Sequence, residues 1–142
     1  MRLENLFAIA NMAALLAWAS LIFLPRWPRL LQLLLYGVVG ALCTAYAAFI
    51  FAFFFRAEGG FGTLSAVKQL FASDPVALAG WLHYLAFDLF AGLWIVERFD
   101  AAGIWRPVQT PVLIATFLFG PLGLIIAYAL LAMPRASATA RI

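Results

Sequence analysis

Gly80-Trp81-Leu82-His83-Tyr84-Leu85-Ala86-Phe87-Asp88-Leu89-Phe90 places a carboxylate, the chain's one histidine and a tyrosine inside an apolar run. That run, Val76–Phe99, is long enough to cross a bilayer as a helix. A carboxylate at the bilayer centre costs about 2.5–3.5 kcal/mol on insertion scales, so a chain that keeps one pairs it or uses it. Asp88 falls almost at the midpoint of the run. At 100° per residue, Trp81, Tyr84, Asp88, Gly92 and Ile95 form one stripe. Lipid cannot satisfy Asp88, so this stripe is expected to face the interior of a helical bundle. His83 lies five residues earlier, about 140° around the axis, on a neighbouring stripe with Phe87, Phe90 and Trp94. No direct His83–Asp88 hydrogen bond is expected within one straight helix, although a ligand lying between helices can touch both. No Lys or Arg lies mid-span, so Asp88 is expected to keep its proton near neutral pH. A neutral acid can donate a proton, which is what a general acid needs.

The remainder of the chain has the same character. It is 67% hydrophobic and 11% charged, with mean hydropathy +1.04, whereas a soluble domain carries about 25% charge. Such a chain cannot cover a water-facing surface and belongs in a membrane, as one domain. The nine Lys and Arg residues are scattered, so no basic stripe offers itself to nucleic acid. Cys43 is the only cysteine, which excludes an internal disulfide and a Cys-pair metal site. Arg2, an apolar stretch and Ala17-Trp18-Ala19 mimic a cleavable signal peptide, but the apolar run continues to Leu24 and is read as a retained helix.

Four spans follow from the punctuation. The first is Leu6–Leu24, stopped by Pro25-Arg26-Trp27-Pro28-Arg29. The second is Leu30–Phe55, ended by Arg56-Ala57-Glu58-Gly59-Gly60-Phe61-Gly62. Thr63–Ser73 carries Leu64, Val67, Leu70 and Phe71 at helical spacing and is expected to lie in the interface. Ser73-Asp74-Pro75 starts the third span, Val76–Phe99. The fourth is Gln109–Met133. The expected fold is therefore an all-α, polytopic membrane protein: four transmembrane helices plus a short interfacial amphipathic helix. Residues 1–134 form the single domain and 135–142 a flexible tail. Four helices put both termini on one side, where five cations face four, so the charge bias barely sets the orientation.

Pro121, in Phe119-Gly120-Pro121-Leu122-Gly123, cannot donate to the Phe117 carbonyl and is expected to kink the fourth span at the depth of Asp88, near Thr116. Irregular backbone persists in membranes where it is buried or lines a cavity. A cavity between the third and fourth spans is therefore the expected site, with a plain packing kink as the alternative. Asn11, deep in the first span, needs a partner. One histidine cannot supply a two-His metal site, and no phosphate loop, dinucleotide fingerprint or Ser-His-Asp set is present. No metal and no cofactor is expected.

The Gly80–Phe90 string, with Gly92, Trp94-Ile95, Gly103-Ile104, Pro111, Thr116-Phe117 and Phe119-Gly120-Pro121-Leu122-Gly123-Leu124, resembles the abscisic-acid-deficient-four family. Leu6-Phe7 and Leu24-Pro25 are similar too, while Arg98 and Val112 depart from the pattern. Plant members are needed to make neoxanthin from violaxanthin, a conversion that opens an epoxide and leaves an allenic alcohol without net redox change. The resemblance implies a lipid-dissolved carotenoid or other isoprenoid ligand. It implies Asp88 or Tyr84 as the acid at an epoxide oxygen and His83 as the base. Trp81, Phe87, Trp94, Asn11 and Thr116 are the expected ligand contacts.

Three readings remain open at this stage. One is a cofactor-free carotenoid or isoprenoid isomerase. Another is a pigment- or lipid-binding membrane subunit that does no chemistry. The third is a small transporter or proton relay built on Asp88. The expected location is a bacterial inner membrane, with membrane lipid and the isoprenoid as partners; a homo-oligomer is compatible with the chain.

Overall fold

A computed structural model describes residues 2–133; the tail expected at 135–142 lies outside them. The described residues form six helices and no strand: α1 Leu3–Phe23, α2 Pro28–Arg56, α3 Leu64–Leu70, α4 Asp74–Ala101, α5 Arg106–Phe119 and α6 Pro121–Ala132. Proline presets the first turn of α2, α4, α5 and α6. The backbone of α2 widens into π-helical turns over Leu33–Val39. Thr63 caps α3, its hydroxyl accepting the Ala66 N–H at 3.1 Å.

Helices α1, α2 and α4 are long and apolar enough to cross a membrane. Along α1 and α4, Asn11 meets Trp81, Trp18 meets Gly92 and Arg26 meets Asp100, so the two run in the same direction. Tyr46 meets His83, and Tyr36 shares a cavity with Leu93 and Glu97, so α2 runs the opposite way. Helix α4 is the hub: Leu82, Leu89, Ile95, Val96 and Phe99 are fully buried. A Cβ at Gly92 would lie 2.5 Å from Trp18 Cη2. The bare glycine therefore lets the buried indole seat against α4, the close approach that small residues permit between membrane helices.

The stretch expected as a fourth span is divided. Helices α5 and α6 have 14 and 12 residues and meet at Gly120, whose φ of 46° and ψ of −94° favour glycine. In a straight helix Thr116 and Gly123 would be about 10 Å apart. Here they touch, and a Cβ on Gly123 would overlap Thr116. Gln109 bonds to Asp100 at the end of α4, and the Tyr84 hydroxyl donates to the Leu118 carbonyl at 3.4 Å, so α5 runs back along α4 to its middle. Helix α6 then reverses: its Tyr128 ring lies 5.5 Å from that of Trp94. The result is a helical hairpin with its tip at Gly120. Hydropathy cannot separate one long crossing from two short helices folded together. The two glycines flanking Pro121-Leu122 make the difference.

A polar knot fixes the base of this hairpin. The Arg26 side chain, 5% exposed, pairs with Asp100 at 3.1 Å and donates to Gln109 Oε1 and the Leu21 carbonyl. Fully buried Gln109 donates to Asp100 at 2.8 Å and to the Ile104 carbonyl at 2.7 Å. Burial pulls the Arg26 guanidinium below its usual pKa, and Asp100 opposes that pull. Gln109, expected at the start of the fourth span, is thus joined to Asp100 and Arg26, and the three tie three helix ends together. Gln109→Leu strands buried donors and acceptors, at about 1–3 kcal/mol. A lowered unfolding midpoint in detergent is the expected readout.

Candidate functional site

Fourteen residues after Asp74 and thirteen before Ala101, Asp88 sits at the middle of α4. Its carboxyl faces the hairpin tip. A Cβ on Gly120 would fall 2.5 Å from Asp88 Oδ1, so the acid rests directly against a glycine that has no side chain to exclude it. The other oxygen, Oδ2, is buried and has no hydrogen-bond partner among the described residues. Buried polar atoms are nearly always paired; here the Tyr84 hydroxyl lies near enough to interact with the carboxyl but makes no well-formed hydrogen bond to Oδ2.

The acid lines a cavity of about 360 Å³. Asn11 and Trp18 of α1, Trp81 and Tyr84 of α4, and Phe117 and Leu118 of α5 share its wall. Asn11 has the partner its depth demands: Oδ1 accepts from Trp81 Nε1 at 2.9 Å, and Nδ2 donates to the Phe7 carbonyl at 3.0 Å. This fixes the indole, which stacks on Tyr84 with centroids 5.2 Å apart. Trp18 and Phe117, 5.6 Å apart, close the side toward the hairpin. A second space of about 380 Å³ shares Trp81 and leads to Leu3, Glu4, Phe7 and Asp74, where α1 and α4 begin. The two spaces flank Trp81 along the groove between α1 and α4, over about 21 Å of helix from Asp74 to Asp88, with the Gly120 turn at the inner end.

The groove gathers some of the expected residues and not others. Asp88, Tyr84, Trp81 and Asn11 line it. His83 does not: it lies on the α2 side of α4, its ring 5.5 Å from Tyr46 and 4.5 Å from Phe87. The five-residue spacing turns the two side chains away from each other, so the cavity lined by Asp88 does not include His83. Phe87 faces outward beside His83. Trp94 packs on Tyr128 and under the Arg98 guanidinium, 5.5 Å from the ring. Thr116 is fully buried, donates to the Val112 carbonyl at 2.8 Å and packs on Gly123, so it shapes the hairpin rather than the cavity. Trp18 and Gly120 lie outside the expected set of site residues yet bound the site. Ala17-Trp18-Ala19, which looks like a cleavage site, is a large ring between small neighbours and signals a tight helix contact. No cluster of His, Cys, Asp and Glu of metal-binding size occurs among the described residues.

With this geometry in place, comparison with known proteins adds one match. Residues 5–128 match the family model described as ABA4-like, ABA DEFICIENT 4-like. No curated protein and no solved structure matches the chain.

Proposed function

Because the chain belongs to the ABA DEFICIENT 4-like family, we propose that it holds an oxygenated isoprenoid of carotenoid type in the groove between α1, α4 and the hairpin, and isomerises it by proton transfer at Asp88. The observation that carries this reading is the buried Asp88 Oδ2, which accepts no well-formed hydrogen bond, in an aromatic-walled cavity. Pockets for lipid-like ligands are mostly apolar, with a few polar groups that fix orientation.

The chemistry needs one carboxyl group. Asp88 gives its proton to an epoxide oxygen as the carbon–oxygen bond breaks, and the oxygen keeps the bonding pair and becomes an alcohol. Positive charge spreads along the polyene beside the Trp81 and Tyr84 faces, which favour a cation. The Asp88 carboxylate then takes a proton from the neighbouring carbon, and that C–H pair becomes the new double bond. The acid is regenerated, and the product is an isomer of the substrate. The base assigned above to His83 is thus Asp88 itself. Tyr84, anchored by the Leu118 carbonyl, orients the ligand against Trp81.

The same reading includes a membrane topology. We propose that α1, α2 and α4 cross, while the α5–α6 hairpin enters and leaves on the face where α4 ends. Arg2 and Met133 then lie on opposite faces, unlike the ends of a four-crossing chain. Arg26, Arg29, Arg98 and Arg106 flank the face where α4 ends, against Arg2, Arg56 and Lys68 on the other. The excess is a single cation, so the positive-inside bias again barely sets which face is cytoplasmic.

The test is expression in a carotenoid-producing host, with extracted pigments separated and weighed by mass spectrometry. A pigment of unchanged mass and altered retention, absent with Asp88→Asn, is the expected result. Pigment that copurifies with the protein but is chemically unchanged contradicts catalysis and points to a binding subunit.

A further inference from the structure

We infer a second ligand site on the opposite face of α4, around His83, that takes a lipid whose head is one flat ring bearing carbonyl oxygens, the chemistry of a quinone. His83 follows the first residue of α4 by nine positions, about 14 Å along the axis, and so lies within the crossing segment. It is exposed on this face of α4, with the Tyr46 and Phe87 rings 5.5 and 4.5 Å from its own. No hydrogen bond joins the imidazole to another described residue. A neutral imidazole carries one N–H donor and one acceptor. Leaving either unpaired in hydrocarbon is costly, since no water is there to compensate. A carbonyl oxygen on a lipid-borne ring removes that cost for the N–H.

The surroundings suit such a ring. A cavity of about 270 Å³ is walled by Tyr46, Phe54, Phe61, Phe71 and His83 and bounded at Gly80. Phe54 and Phe61 stack at 5.5 Å with an 18° tilt, presenting flat faces. Aromatic rings prefer offset stacks with planar partners. The volume lies below the roughly 300 Å³ at which pockets for drug-sized ligands begin, so it fits one head group and leaves the tail in lipid. Gly80 keeps this space open: a Cβ there would lie 2.5 Å from Phe71 Cε1 and force that ring aside. The site shares no lining residue with the Asp88 groove and does not rest on the proposed isomerisation.

The lone histidine supplies the test. Protein labelled with ¹⁵N-histidine, purified without a histidine tag and placed in lipid nanodiscs, gives one imidazole spin system. A decyl-substituted benzoquinone is titrated in, with decanol as a control of equal tail and no ring. The expected result is a saturable shift of the His83 nitrogens with the quinone and none with decanol. Gly80→Ala, and independently Phe61→Ala on the exposed wall, are expected to weaken the apparent affinity at least tenfold. No shift, an equal shift with decanol, or unaltered titration in both variants overturns the proposal.

Discussion

Asp88→Asn is expected to lower product formation by about 10²–10⁴-fold, the range that general acid–base catalysis contributes, while ligand stays bound. The amide matches the carboxyl in shape and still presents an N–H to a ligand oxygen. It cannot release a proton to that oxygen, nor accept one from carbon afterwards. Both half-steps are therefore lost together, which is why the effect is placed so high. Tyr84→Phe removes a bond of only 3.4 Å to the Leu118 carbonyl and changes orientation rather than proton transfer. Its effect is expected to be much smaller. Product formation that survives Asp88→Asn within a factor of ten contradicts the assignment of Asp88 as the acid.

Gly120→Ala is expected to be strongly destabilising. Two costs fall on one position. The backbone there occupies a region that favours glycine, and holding another residue in such a conformation costs about 1–3 kcal/mol. The new methyl also meets Asp88 Oδ1 at 2.5 Å, and overpacking of this kind adds about 1–3 kcal/mol. The carboxyl must move, so activity is expected to fall along with stability. Gly60 and Gly62 are the controls: a Cβ at either meets nothing within 4 Å, and alanine there is expected to shift stability by no more than about 0.5 kcal/mol. Unfolding midpoints of the three variants in one detergent compare them directly. A Gly120→Ala protein as stable as the two controls contradicts the tight tip.

Much of this architecture is legible in the sequence because membrane helices obey strong, local rules. Leu3–Phe23 and Asp74–Ala101 follow from apolar length and from Pro25 and Ser73-Asp74-Pro75. The shared face of Trp81, Tyr84 and Asp88 follows from helical spacing alone, as does the separation of His83, although Trp81 is exposed and the other two are half-buried rather than fully inward. Two features are not local. The reversal at Gly120 depends on Gly123 meeting Thr116, and a proline within an apolar run serves equally well for a kink or a turn. The knot of Arg26, Asp100 and Gln109 joins residues up to 83 positions apart, and no periodicity relates them. Trp18 belongs with these: its role appears only once Gly92 is set against it.

The hairpin carries the account, since it sets Gly120 against Asp88 and closes the groove at the middle of α4. Its direct test is the sidedness of two positions. In a Cys43→Ser background, single cysteines are introduced by Arg2→Cys and by Met133→Cys, both at exposed sites. A membrane-impermeant maleimide is then applied to right-side-out and inverted vesicles. Labelling of the two positions from opposite faces is the predicted result. Labelling of both from the same face means that the last segment crosses the membrane in full, and contradicts the hairpin and the site built on it.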